Sequence, residues 1–294
     1  MRAAVLGHPI AHSLSPVLHR AAYAALGLDW AYDAVDVTTG QLPAFVRDLD
    51  ESWAGLSLTM PLKQAVIPLL DHVEPLAEVV GVVNTVVVQR GGARPTLVGA
   101  NTDAHGIAAA LNEGGPERQR PGAGPAATRH AVVLGAGATA ASALAGLAEL
   151  GIVTSTVLAR SIARAGAIMR AAHRMGVDAT VRTMAPLDRT IDALARADVV
   201  VSTLPPGAAD EIAPGLDAGT VRGVLLDCAY TPRPTALVAA WRAAGGSAVT
   251  GERMLLHQAG EQVRLMTGSP APLAAMDTAL TAALDSDRAG HATR

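Results

Sequence analysis

At 294 residues, half of them hydrophobic, the chain is long enough for two domains, with cores built mainly from Ala, Val and Leu. One Phe, three Tyr and three Trp are too few for the stacking platforms of a single-strand nucleic-acid binder, and a net charge of −3 excludes a general binder of phosphate backbones. The single cysteine, Cys228, can form no internal disulfide and fits a reducing compartment. No apolar run approaches the ~18–20 residues of a membrane span. The N-terminus reads as a strand rather than a signal peptide. The expectation is a cytoplasmic protein with no membrane, nucleic-acid or metal partner.

In chain order, residues 2–6 read as a short strand. In the following GHPIAHSLSP, Ser15 is a good N-cap and Pro16 a good first residue for a helix over 16–26. Strand-like runs at 32–37 and 54–58 alternate with helical segments at 42–49 and around Lys63, where Pro68 ends or kinks the helix. Residues 71–80 read as another short helix. Residues 85–89 and 96–99 flank Gly91-Gly92 as a hairpin, and Asn101-Thr102-Asp103 opens a helix through about residue 112. The segment 114–129, GGPERQRPGAGPAATR, reads as a linker or mobile loop. Beyond it, strands near 131–135, 153–159, 177–183, 198–202 and 223–228 alternate with helices, which implies a parallel sheet with right-handed crossovers. A helical tail runs from Glu252, and residues 285–294 are expected to fray.

The most informative stretch is AVVLGAGATAASALAGLAEL, residues 131–150. A buried strand runs into Gly135-Ala136-Gly137, and Ala138-Thr139-Ala140 then opens a helix. This is the strand–glycine turn–helix of a dinucleotide-binding unit, with Ala140 in the third glycine's place. Gly135 allows the tight turn, Gly137 lets the backbone approach a pyrophosphate, and Ala140 lets helix and strand pack closely. The helix's free N–H groups and positive end face the phosphates. The plain alternative is a glycine-rich turn with no ligand. Against it, the next strand ends at Ala159-Arg160, about 25 residues after Gly135, where the ribose-reading residue belongs. No acid occurs at Leu158-Ala159-Arg160-Ser161, and Arg164 adds a second base. A carboxylate there would accept ribose hydroxyls and repel a 2′-phosphate, so its absence favours NADP over NAD.

Ser13, Ser15, Thr59 and Lys63 all follow the carboxyl ends of strands, where open α/β sheets bind ligands; Asn84 precedes the hairpin and Asp103 follows it. Taken singly, Ser15 is an N-cap, Asp103 or Thr102 caps a helix, and Asn84 fixes a turn. His8, His12 and His19 read as structural, since no carboxylate partner is identifiable in sequence. Lys63 falls in the first turn of its helix, where a cation is disfavoured by about 0.3–1 kcal/mol. A solvated lysine gains nothing from that placement, whereas a reactive one can stabilise developing alkoxide charge and deliver a proton.

Six separated motifs carry a family resemblance: GHPIAHSLSP (7–16), GLSLTMPLK (55–63), GVVNT (81–85), GANTD (99–103), DCAYTP (227–232) and GERMLLHQA (251–259). In this order they resemble shikimate dehydrogenase from about Val5 to Gln258. The resemblance implies an α/β protein of two domains. An N-terminal substrate-binding α/β domain (1–103 and 252–294) is joined to a Rossmann-type NADP-binding domain (104–251). It implies reversible reduction of 3-dehydroshikimate to shikimate with NADPH, in aromatic amino acid biosynthesis, by a monomer or homodimer. Lys63 and Asp103 would form the catalytic pair. Ser13, Ser15, Thr59, Asn84, Asn101 and Gln258 would hold the substrate's carboxylate and hydroxyls, with Tyr230 near the ring. The cofactor would contact Gly135 to Ala140 (Ala136, Gly137, Ala138 and Thr139 between), Arg160, Ser161, Arg164, Thr203, Gly251 and Met254. Ser57, Ala138, Ala159, Ser202-Thr203-Leu204, Val263 and Met266 depart from the family pattern. The competing expectations are an NAD-dependent quinate/shikimate dehydrogenase and a catalytically silent metabolite sensor, and fold alone does not separate them.

Overall fold

The structure, a computed structural model, describes residues 1–92, 94–114, 129–217 and 219–292, the side chains of 164 and 287–292 excepted. Apart from Gly114 and Arg129, the expected linker lies outside the described residues. By its packing the chain divides into two compact units. The first is Met1–Glu78, Val82–Thr102 and Leu255–Arg294; the second is Val79–Gly81 and Asp103–Met254.

The first unit carries β1 (Arg2–Gly7), α1 (Ser15–Ala25), β2 (Ala31–Asp36), α2 (Leu42–Arg47), β3 (Trp53–Leu58), α3 (Leu62–Ala65) and β4 (His72–Val73). After α4 (Pro75–Val80) it continues with β5 (Thr85–Gln89) and β6 (Thr96–Ala100). The sheet order is β2-β1-β3-β5-β6-β4. β1 runs parallel to both β2 and β3, whereas β5 is antiparallel to β3 and β6. Every residue of β3 is buried, as its unbroken apolar run predicts for a central strand. Leu6, Leu56, Leu62, Val66 and Val83 are among the core residues beneath it. The 85–89/96–99 hairpin forms as expected. The 71–80 segment does not form one helix: His72–Val73 pairs with Val98–Gly99 of β6, and α4 begins only at Pro75. Pro75 suits the first turn of a helix but cannot sit in the interior of one that starts at Asp71.

The second unit carries α5 (Asp103–Gly114), β7 (His130–Leu134), α6 (Ala138–Glu149), β8 (Thr154–Ala159), α7 (Gly166–Met175), β9 (Asp178–Thr183) and α8 (Leu187–Arg196). β10 (Val199–Ser202), β11 (Val224–Asp227), α9 (Ala236–Ala243) and β12 (Ser247–Thr250) complete it. The sheet is parallel throughout, in the order β12-β11-β10-β7-β8-β9. β12 is an addition to the five strands expected here. Its four residues, SAVT, alternate poorly in polarity and gain their strand character from pairing with β11. α10 (Gly251–Thr267) follows β12 directly, and α11 (Leu273–Ala292) is helical through the described residues, 285–292, of the segment expected to fray. Among the described residues no helix is long and apolar enough to cross a membrane.

Candidate active site

In the first unit β1 and β3 end side by side, with Leu6 opposite Leu58. The turns beyond them are tied by main-chain bonds: Thr59 N–H donates to Leu6 O at 2.9 Å, and His8 N–H to Met60 O at 3.1 Å. Gly7 permits this approach, because a Cβ there would run into Thr59 Cγ2. Ser15 is not the helix cap expected. Leu14 occupies the cap position of α1, and Ser15 is a buried helical residue. The Ser13 hydroxyl accepts from Ser15 N–H at 3.3 Å. Its own O–H can still donate to a ligand.

Lys63 is held by its backbone: its carbonyl accepts from Val83 N–H at 2.9 Å, next to Asn84. The helix dipole expected at Lys63 is absent: α3 has only four residues and gives way to a 3-10 turn at Ile67–Leu69. A single turn aligns too few peptide dipoles to give distinct ends.

Asn84 does far more than fix a turn. It is fully buried, its carbonyl accepts from Leu58 N–H (2.7 Å), and its N–H donates to Ala100 O (3.2 Å). Its side-chain oxygen accepts from Thr102 N–H (2.7 Å) and the Thr85 hydroxyl (3.0 Å). Its Nδ2 donates to Thr102 Oγ1 and to Gln258 Oε1, both at 2.9 Å. Asn101 Nδ2 donates to Val82 O at 3.0 Å. The fold thus joins Lys63, Asn84, Asn101 and Gln258 through short backbone and side-chain links, although they are spread along the chain. Thr85 and Thr102, by sequence a strand residue and a helix cap, are integral to this buried polar centre. Such a centre is stable only with its hydrogen bonds made, since an orphaned buried group costs about 1–3 kcal/mol.

The centre extends to His19, which lies fully buried against Tyr32, ring centroids 3.9 Å apart, and bonded to Gln262 at 3.1 Å. Burial lowers the imidazole from its ordinary 6.5 to about 4, against an opposing contribution from the Gln262 bond. Between those values the unfolded chain takes up a proton that the folded chain refuses, so stability is complete above pH 6.5 and falls as pH drops toward 4. From pH 7 to pH 5, wild type should lose about 2 kcal/mol relative to His19→Gln, read from urea midpoints. An unchanged difference between the two would show that His19 titrates normally. His8, also read as lacking a carboxylate, has Asp36 at 2.6 Å on the surface.

In the second unit the glycine turn stands at the end of β7, between β8 and β10, where the strand order reverses. Gly135 has φ +103, and a Cβ there would lie 2.5 Å from Thr203 Oγ1. Thr203 is fixed in turn: its N–H (2.9 Å) and hydroxyl (2.8 Å) both donate to Leu134 O. Gly137 is the cap of α6, with no side-chain cap and no acid in the first turn. A Cβ on Gly137 would meet open space. This bare, unobstructed helix start fits a pyrophosphate. Ala140 is fully buried. β8 ends at the buried Ala159; Arg160 is exposed and Ser161 half-buried beyond it. The side chain of Arg164 lies outside the described residues. Gly251 opens α10 directly after β12, and Met254 is buried. Asp103 is the buried first residue of α5. Burial raises the Tyr230 phenol above its usual range, with Arg233 opposing and Glu252 adding to the shift. Asp227, at the end of β11, is likewise raised by burial despite a 2.7 Å bond from the Thr235 hydroxyl. Among the described residues no group of three His, Cys, Asp or Glu side chains could hold a metal ion.

A parallel sheet of this order, with a glycine turn at its reversal point, defines the dinucleotide-binding class of α/β protein. Residues 5–86 match the model of the shikimate dehydrogenase substrate binding domain, and residues 251–281 that of the shikimate 5'-dehydrogenase C-terminal domain. A shikimate dehydrogenase (NADP(+)) of Citrifermentans bemidjiense is 37% identical over 96% of this chain and 95% of its own. Among solved structures, Mycobacterium tuberculosis shikimate dehydrogenase superposes with a TM-score of 0.82 at 41% identity, covering 96% of this chain and 99% of that one. The Thermus thermophilus enzyme in complex with NADP(H) and shikimate gives 0.77 at 33% identity, covering 96% and 99%. The chain belongs to the shikimate dehydrogenase family.

Proposed function

We propose that this chain catalyses the reversible NADPH-dependent reduction of 3-dehydroshikimate to shikimate, as a cytoplasmic monomer or homodimer. The observation that carries this reading is the likeness to NADP-dependent shikimate dehydrogenases across 96% of the chain, which takes in both units. Gly135 to Ala140, Arg160, Ser161, Arg164, Thr203, Gly251 and Met254 would hold the cofactor, which supplies hydride when bound. Ser13 and Ser15 hold the substrate carboxylate, the former through the O–H left over from its bond to Ser15. Thr59, Asn84, Asn101 and Gln258 meet the ring hydroxyls, and Tyr230 lies near the ring. As the ring ketone is reduced, Lys63 Nζ donates a proton to the ketone oxygen, converting it to hydroxyl. Asp103 is the carboxylate partner of Lys63.

Initial rates with shikimate and quinate, each against NAD and NADP, test the reading. Shikimate with NADP should give the highest kcat/KM of the four. A quinate–NAD optimum would identify the quinate-directed alternative, and no turnover in any combination would identify a sensor.

A further inference from the structure

α10 places Gln258 and Gln262 one turn apart on the same helix face. Gln262 is only 3% exposed, beneath the half-buried Gln258. The identities of the amide atoms between them follow from hydrogen-bond bookkeeping. A main-chain N–H can only donate, so the Asn84 atom 2.7 Å from Thr102 N is its oxygen. The other Asn84 atom is then Nδ2, and the Gln258 atom it meets at 2.9 Å is Oε1. Gln258 therefore has its carbonyl turned to Asn84, which leaves its NH2 as the group it can offer to another acceptor.

The Thr85 hydroxyl donates to Asn84 Oδ1 (3.0 Å), so it accepts from Gln262 Nε2 at 3.2 Å. Gln262 Oε1 then accepts from the Ser57 hydroxyl (2.9 Å) and His19 Nε2 (3.1 Å). Ser57 is itself fixed as a donor by the Tyr32 hydroxyl, which donates to it at 2.6 Å. One direction of donation thus runs from Tyr32 through Ser57 to the Gln262 carbonyl, and from the Gln262 amide through Thr85 and Asn84 to Gln258. Ser57, Thr85 and Gln262 are each at least 97% buried, so water cannot substitute for a missing partner.

We propose that Gln262 is a positioning residue for the substrate site. Through Thr85 and Asn84 it holds Gln258 with its NH2 outward, so that this position selects an oxygen able to accept a hydrogen bond. The proposal rests on the functional reading above.

The test compares Gln262→Met, Thr85→Val and Thr85→Ser with wild type in full-length protein. Thr85→Val deletes the middle hydroxyl without touching His19 or Ser57, so the link stays testable if Gln262→Met folds poorly. Each of Gln262→Met and Thr85→Val should raise the KM for shikimate by about 3- to 30-fold, with kcat within about threefold and the KM for NADP unchanged. Thr85→Ser, which keeps the hydroxyl, should stay within about twofold of wild type. The double variant Gln262→Met/Thr85→Val should be no worse than the weaker-binding single, because both break one link. An unchanged KM, or single effects that multiply in the double variant, would overturn the proposal. Failure of wild type to turn over shikimate would strike the functional reading instead. The relay can then be read without substrate, from the side-chain NH2 resonances of Asn84 and Gln258. Those resonances should move in Thr85→Val and not in Thr85→Ser, and resonances indifferent to both substitutions would refute the relay.

Discussion

Lys63→Ala should lower kcat by about 10²- to 10⁴-fold, with a smaller change in KM, because the proton it delivers matters in the transition state rather than in binding. That loss corresponds to about 3–5 kcal/mol of barrier. The fold makes the experiment clean. The turn carrying Lys63 is held by its backbone, through Leu62 N–H to Thr59 O (2.8 Å), Val66 N–H to Leu62 O (3.1 Å), and Val83 N–H to Lys63 O (2.9 Å). Removing the side chain leaves all three backbone bonds, so the turn itself should keep its path. Lys63→Arg sharpens the result: it keeps the positive charge but cannot release a proton near neutral pH, so it should remain slow. A Lys63→Ala enzyme retaining more than half the wild-type kcat would remove Lys63 from the mechanism.

The second large effect concerns cofactor choice. Arg160→Ala should weaken NADP by about 10- to 100-fold and NAD far less, because a guanidinium meets a 2′-phosphate through paired charge-assisted bonds. β8 buries Ala159 and releases the chain into solvent at Arg160, with Ser161 extended (φ −146) after it. No acid lies between Leu158 and Arg164 to repel a phosphate. Since Arg160 is exposed, its attraction is screened, and raising ionic strength should narrow the wild-type preference. A higher kcat/KM with NAD than with NADP would end this assignment.

The two sites differ in how far they show in the sequence. The nucleotide turn is local: Gly135, Gly137, Ala140 and the strand end at Arg160 all fall within one strand–helix–strand unit. The steric demands of a tight turn and a bare helix start show directly in residue type. The alternating pattern that foretold the parallel sheet is equally local. The polar centre of the first unit is not. The first-turn position of Lys63 suggests a helix dipole that a four-residue turn does not possess, and what the fold adds is the bond from Val83 N–H to its carbonyl. Ser15 was read as a cap, yet the hydroxyl that accepts at the start of α1 belongs to Ser13. Gln262 carried one weak signal, a second glutamine one turn after Gln258, close to the apolar positions Leu255, Ala259, Val263 and Met266 of the same helix.

What the sequence determined by itself is what depends on neighbours in the chain. Chain-local features are the strand and helix periods, the glycine turn, the acid-free end of β8 and the ordered motifs that mark the family. Tertiary structure alone decided which polar groups share a hydrogen bond. Asn84 meets Gln258 across 174 positions and Ser57 meets Gln262 across 205. No local spacing encodes such a pair. It exists because β3, β5 and α10 bury those side chains together, where each buried donor must find an acceptor.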